Sequence, residues 1–230
     1  ENKEKFEANF PGDFIVEYIN QTRGWFYTMH VLATALFDRP AFKTCISHGI
    51  VLGSDGRKVS KRLKNYPDPI EMFNKYGSDS MRWLLQSSPI LRGLDLIVNE
   101  EAFANATRSA ILPLWNSYYF FTLYANSDCI TGHFTNDSTN ILDRYIMAKT
   151  RRYIEETTKA MDANDLFLAS ELYESHLDVL TNWFIRGSRE RFWRHEHDDD
   201  KISAYNTLYT VLDLTSRCVA PLLPMVAETV

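Results

Sequence analysis

Apolar positions follow two different rhythms along this chain. Up to about residue 98, short runs of different type alternate. "DFIVEYI" (13–19) is brief, β-branched and aromatic, the composition of a strand. "TRGWFYTMHVLATALF" (22–37) places Trp25, Met29, Leu32 and Leu36 at spacings of three and four, one face of a helix that Pro40 stops. A second strand is predicted over 46–52, inside "KTCISHGIVL". Strand, helix, strand in that order implies a parallel pair joined by a right-handed crossover. Further on, "PIEMFNKYG" and "SDSMRWLLQSS" read as two short helices, with Gly77 as C-cap of the first and Ser78 as N-cap of the second.

From about Asn99 onward the rhythm is helical only. "NEEAFANATRSAILPLWNSYYFFTLYAN" carries an apolar stripe with a kink expected at Pro113. "STNILDRYIMAKTRRYIEETTKAMDAN" and "DLFLASELYESHLDVLTNWFIRGSRERFW" follow, and their short joint at Asn164–Asp165 predicts antiparallel neighbours. "HEHDDDK" (195–201) reads as an acidic surface turn before a last helix over 202–220. The predicted fold is therefore an α/β segment (1–98) joined to an all-α helical bundle (99–230), predominantly helical overall.

Composition narrows the chemistry. With 230 residues and 45% hydrophobic content the chain can bury a sizeable core, and its net charge of -5 argues against wholesale nucleic-acid binding. Cys45, Cys129 and Cys218 lie far apart with no metal-ligand spacing, which predicts packed thiols in a reducing compartment and no metal site. No apolar run reaches the roughly eighteen residues of a membrane span, so a soluble, cytoplasmic protein is expected. The charged start without Met and the end inside a helical pattern suggest a piece cut from a longer protein.

Against that acidic background, "GSDGRKVSKRLKNYPDP" (53–69) concentrates Arg57, Lys58, Lys61, Arg62 and Lys64, with Ser60 among them. The cluster follows a predicted parallel strand, where open α/β sheets place their ligand crevice. Mobile cations there can meet phosphate charge as it shifts during a reaction. A merely solvated basic loop is the alternative, and composition does not separate the two.

The order of residues does. "KVSKR" closely resembles the Lys-Met-Ser-Lys-Ser signature of class I aminoacyl-tRNA synthetases, and its continuation into "LKNYPDP" resembles their isoleucyl branch. "FIVEYINQTRGWFYT" is similar to the segment of that branch that binds the aminoacyl-adenylate, and "SHGIVL" to the strand leading into the signature loop. Residues 142–193 resemble its anticodon-binding bundle. The resemblance implies that 1–98 is the second half of a Rossmann-like catalytic domain. It implies ATP with Mg2+ on its phosphates, isoleucine and tRNA(Ile) as partners, and a monomer.

Carried over position by position, Lys58 and Lys61 are implied to contact ATP phosphates and departing pyrophosphate, with Ser60 holding the loop's closed form. Val59 stands for the usual Met and Arg62 for the usual terminal Ser. Glu17, Asn20 and Gln21 match adenylate-binding positions, although Asn20 stands where the family often has Asp and Tyr18 where it has Gly; alone, each reads as a loop or strand-surface residue. His48 and Gly49 match the strand end beside adenine and ribose, Gly49 being suited to close backbone approach, while a lone His in an apolar strand usually packs in the core. Trp25 matches a wall of the isoleucine pocket, with helix core as its alternative.

In the bundle, Trp183, Arg186, Arg189, Arg191 and Arg194 crowd one helix end, provided Gly187 does not break it. An aromatic can stack on an unpaired base and arginines can pair with phosphates. The alternative is a core Trp with intrahelical pairs such as Arg186 with Glu190. The family's His-Ile-Gly-His motif and its editing insertion are not found in the chain, so these 230 residues by themselves are expected not to form adenylate. An RNA-binding module without chemistry, or a valyl or leucyl relative, are the competing readings.

Overall fold

The computed structural model describes residues 2–196 and 198–230, so Glu1 and His197, the latter inside the predicted acidic turn, lie outside it. The chain divides into two compact units, 1–67 with 88–99, and 68–87 with 100–230. The helices of 68–87, which precede residue 98 in sequence order, thus belong to the helical unit.

The first unit begins with α1 (Lys3–Asn9), followed by β1 (Gly12–Tyr18), a 3-10 turn (Ile19–Arg23), α2 (Trp25–Phe37) and β2 (Phe42–His48). β1 and β2 are parallel, in register from Gly12 opposite Phe42 to Tyr18 opposite His48, which is the predicted strand–helix–strand unit. α2 starts under the Gln21 side chain, whose Oε1 accepts the Trp25 amide at 2.9 Å. It ends at Asp38, which adopts the left-handed conformation (φ 51°). The face that periodicity assigns to the core points outward instead. Trp25, Met29, Leu32 and Leu36 are 50, 39, 53 and 71% exposed, while Phe26 and Ala33 are buried. A pair of strands covers only one side of this helix, and Phe26 meets it by packing on Phe42 (ring centroids 5.8 Å).

The predicted single strand over 46–52 is two elements. After β2 the chain passes to β3 (Val51–Leu52), which pairs in parallel with β4 (Leu96–Ile97) in a separate sheet. The break is at Gly49, whose amide donates to the Ile90 carbonyl (3.0 Å). A Cβ at Gly49 would stand 1.9 Å from the Leu94 carbonyl oxygen, so only glycine lets the 3-10 turn Pro89–Arg92 and the residues after it approach this closely.

The second unit comprises α3 (Pro69–Tyr76), α4 (Ser78–Gln86), α5 (Glu100–Ala106), α6 (Leu112–Asp128), α7 (Ile141–Asp162), α8 (Leu166–Asp178), α9 (Arg186–Trp193), α10 (Asp199–Val219) and α11 (Pro224–Thr229). Short acidic and amide side chains cap several of them. Asp68 accepts from the Ile70 and Glu71 amides, and Asn140, Asp165 and Asp198 begin α7, α8 and α10. Ser78 is not a cap. Gly77 (φ 80°) occupies that junction and Ser78 is already helical. Pro113 acts as expected of a residue that lacks an amide hydrogen and crowds the preceding turn: the helix before it widens into a π segment, Thr107–Ile111. A second π segment, Val179–Ile185, joins α8 to α9 without a break, so Gly187 lies within continuous helix.

Phe192 is central to the core, edge-on to Phe120 (5.1 Å) and to Tyr205 (4.9 Å). Beside it runs a buried ionic junction. Arg191, 6% exposed, grips the wholly buried Asp143 through two bonds (2.6 and 2.9 Å) and reaches Asp200 at 3.0 Å. Ser138 and Ser203 hydroxyls donate to the same Asp143 carboxylate at 2.7 and 3.1 Å. Lys201, also buried, donates to the Arg194 carbonyl (2.6 Å) and pairs with Asp128 (2.7 Å). These contacts tie α9 to the starts of α7 and α10.

Elsewhere in the core, His176 donates or accepts at Nε2 with the Thr215 hydroxyl (2.9 Å) and stacks flat on Tyr153 (4.5 Å). Burial pushes its pKa down to about 4 from an ordinary value of 6.5. The folded state therefore keeps His176 neutral while the unfolded chain takes up a proton as pH falls below 6.5. Stability is expected to drop by about 3 kcal/mol between pH 6.5 and 4 from this group, read as a falling urea midpoint that flattens in His176→Gln. Asp143→Ala should cost about 3 kcal/mol by removing the buried bidentate partner of Arg191, which keeps only Asp200. Asp143→Leu combined with Arg191→Met should recover most of that loss in a double-mutant cycle.

Candidate functional site

The cation loop leaves β3 and returns along its own path. Val59 donates its amide to the Val51 carbonyl (3.1 Å), and Leu52 bridges Lys58 in antiparallel sense. The loop closes on Asn65. Its Oδ1 accepts the Ser60 amide at 3.0 Å, while Nδ2 donates to Asp55 Oδ1 (2.9 Å) and lies 3.3 Å from the Arg57 and Lys58 carbonyls. The bond from Asn65, then that from the Arg57 amide, holds the Asp55 carboxyl below its usual range. Gly53 makes the closure possible, because a Cβ there would lie 2.0 Å from the Asn65 carbonyl oxygen. In the sequence Asn65 stands out only as part of "LKNYPDP". Its spacing from Gly53 carries no periodic signal that would mark it as the hub.

This backbone leaves Lys58 and Lys61 exposed and Ser60 half-buried. The Lys58 ammonium stands over the Tyr18 ring at 4.4 Å, and Tyr18 neighbours the His48 ring at 6.0 Å. Since Tyr18 and His48 are register partners at the carboxyl ends of β1 and β2, the loop cation and the strand-end histidine share one place, while Glu17, one residue earlier, pairs in register with Ser47. His48 Nδ1 lies 2.9 Å from the Gly49 carbonyl. Gly49 itself is buried against Leu94, so the close approach it permits is to the protein's own backbone. Asn20 is exposed on the 3-10 turn, whereas Gln21 is engaged in capping α2. Trp25, at the first position of α2, is half exposed and not the core residue of the alternative reading.

At the end of the helical unit the arginines separate into two kinds. Arg191 is buried in the ionic junction, and Arg194 pairs with Asp198 at 2.7 Å and Asp200 at 3.6 Å. The acidic turn read from sequence as mere surface supplies both of those partners. Arg186 and Arg189 remain exposed, Trp183 is 64% exposed, and the Arg189 guanidinium lies 6.0 Å from the centre of the Trp193 ring. No cluster of three or more His, Cys, Asp or Glu side chains suited to a metal ion occurs among the described residues. No helix among them is long and apolar enough to cross a membrane.

Residues 1–97 match the family described as tRNA synthetases class I (I, L, M and V), and residues 143–230 match the anticodon-binding domain of tRNA ligase. The isoleucine–tRNA ligases of Bifidobacterium longum (strain NCC 2705) and Mycobacterium tuberculosis (strain ATCC 25618 / H37Rv) are each 53% identical to it over all of the chain. The chain spans 21% of the length of either relative. Among solved structures, Mycobacterium tuberculosis methionyl-tRNA synthetase in complex with methionyl-adenylate superposes with a TM-score of 0.77 at 20% identity, over 98% of this chain and 45% of that one. The LeuRS–tRNA–LeuAMS ternary complex of Agrobacterium radiobacter K84 gives 0.71 at 20% identity, over 95% of this chain and 26% of that one. Residues 1–97 therefore belong with the class I tRNA synthetases and residues 143–230 with the anticodon-binding domain of tRNA ligase, and over its whole length the chain is similar to isoleucine–tRNA ligases.

Proposed function

We propose that this chain is the part of an isoleucine–tRNA ligase that meets the phosphates of ATP and the anticodon arm of tRNA(Ile). The observation that carries the proposal is the Asn65-closed loop, which presents Lys58 beside the carboxyl ends of two parallel strands, with Lys61 exposed on the same loop. In the proposed reaction the isoleucine carboxylate attacks the α-phosphorus of ATP, the bond to the bridging oxygen breaks, and pyrophosphate leaves with the electron pair. A ribose hydroxyl at the 3′ end of the tRNA then attacks the isoleucyl carbonyl carbon, the acyl–phosphate bond breaks, and AMP leaves with the electron pair while the hydroxyl proton is lost. Lys58 and Lys61 act where negative charge builds on the departing phosphates, with Ser60 fixed at its amide by Asn65. Mg2+ bound to the ATP phosphates would share that charge.

Around the nucleotide, Glu17, Asn20 and His48 offer hydrogen-bonding groups for ribose and adenine. Gln21 acts by setting the start of α2 and so the position of Trp25, whose exposed indole suits a branched aliphatic side chain. The uncovered apolar stripe of α2 supports a place for residues 1–98 within a larger parallel sheet, as the carboxyl-terminal part of a catalytic domain. Residues 99–230 are assigned to anticodon binding, through Trp183, Arg186 and Arg189 and, when its acidic partners release it, Arg194.

The decisive assay uses the longer ligase of which the proposal makes this chain a part. Lys58→Ala or Lys61→Ala should lower isoleucine-dependent ATP–pyrophosphate exchange by about 10²-fold or more, with little change in KM for isoleucine. Full exchange activity in either variant would contradict the assignment.

A further inference from the structure

α7 and α8 enclose a second feature that the synthetase reading does not use. A cavity of about 320 Å³ opens between them, near the lower bound of small-ligand sites. Its lining includes Lys149, Arg152, Tyr153 and Glu156 from α7, and Ser175 and His176 from α8. Tyr153 and His176 form a flat, stacked floor, their planes 2° apart. His176 is 4% exposed and its Nδ1 has no hydrogen-bond partner among the described residues. Glu156 accepts from Arg152 (2.8 Å), which leaves the carboxylate charge-compensated and its second oxygen available as an acceptor.

Beyond the cavity, the same pair of helices carries exposed aromatic and basic side chains. On α7, one turn before Lys149, Tyr145 is 40% exposed and lies under the Lys149 ammonium at 5.5 Å. Beyond the cavity residues of α8 comes Trp183, and farther along the same pair of helices a Cβ on Gly187 would stand 3.5 Å from Leu142 Cδ1. The two antiparallel helices therefore present one line: a polar cavity with cations at its rim, then the exposed aromatics Tyr145 and Trp183, then Arg186 and Arg189.

We propose that this cavity is a subsite for one unpaired nucleobase of the bound RNA. Lys149 and Arg152 pair with its flanking phosphates, and Glu156 and Ser175 bond to its edge. The inference rests on the reading of the helical unit as RNA-binding and adds the place where a single base is received. Cations with interleaved aromatic faces are the chemistry of single-stranded nucleic acid, and a walled polar cavity suits a base splayed from its stack. The acidic net charge of the chain makes such a local positive rim necessary for any polyanion.

The test uses the 230-residue chain with the anticodon stem-loop of an isoleucine tRNA, and the same stem-loop with its anticodon replaced, across a salt series. Ser175→Phe obstructs the cavity from an exposed position and should cost at least about fivefold in affinity while erasing preference for the native loop. Lys149→Gln with Arg152→Gln should reduce the salt slope of log K by about 1.4, two phosphates at 0.7 each. If the native preference and the salt slope persist in these variants but fall in Trp183→Ala or Arg186→Gln, the cavity is not the subsite and the RNA-binding reading stands. If the unsubstituted chain binds both stem-loops equally or not at all, both the subsite and that reading fail. Thermal unfolding midpoints of the variants, expected unchanged for these exposed or rim positions, separate lost contacts from lost fold.

Discussion

The side-chain amide of Asn65 joins the two limbs of the cation loop, and the arrangement of the candidate phosphate site follows from that closure. It accepts the Ser60 amide and, with the two hydrogens of Nδ2, donates to Asp55 and to the Arg57 and Lys58 carbonyls, which share the second hydrogen. Each such bond contributes about 1 kcal/mol net, enough together to hold a short loop in one conformation. Gly53 is the necessary counterpart, since any side chain would displace the Asn65 backbone. What is held is backbone, while the lysine side chains stay exposed and able to follow a moving charge.

The helical unit solves a related electrostatic problem by the opposite means. Arg191 and Lys201 are desolvated and fully engaged with Asp143, Asp200 and Asp128. Arg186 and Arg189, a turn away, remain in solvent. Burying cations against carboxylates fixes the direction of α9 and of its exposed residues, at the expense of acids that would otherwise repel phosphate from the same end. An overall negative chain thus keeps a locally positive surface.

Much of this was legible from local pattern. The parallel strand–helix–strand unit, Gly77 at the end of α3 and the disturbance at Pro113 depend on residues within a few positions of one another, whereas the caps Asp68, Asn140, Asp165 and Asp198 were not singled out. The resemblance in "KVSKR" was likewise a matter of contiguous order. What escaped is non-local. The strand ends at Gly49 because Leu94 presses on it from far along the chain. The α2 stripe is uncovered because only a pair of strands packs against that helix. Arg191 looks like its neighbours in sequence and differs only in facing Asp143. Trp183 and Arg186, read as candidates from spacing, are exposed on the continuous helix that runs from α8 into α9.

The most direct test of the account is hydrogen exchange at the Ser60 amide, whose acceptor is the Asn65 side chain. In Asn65→Ala that amide should exchange about tenfold faster or more, together with those of the neighbouring loop residues, while amides of the β1–β2 pair keep their rates. Unchanged exchange at Ser60 would show that the loop holds its shape without Asn65, and the account of how the lysines are presented would be wrong.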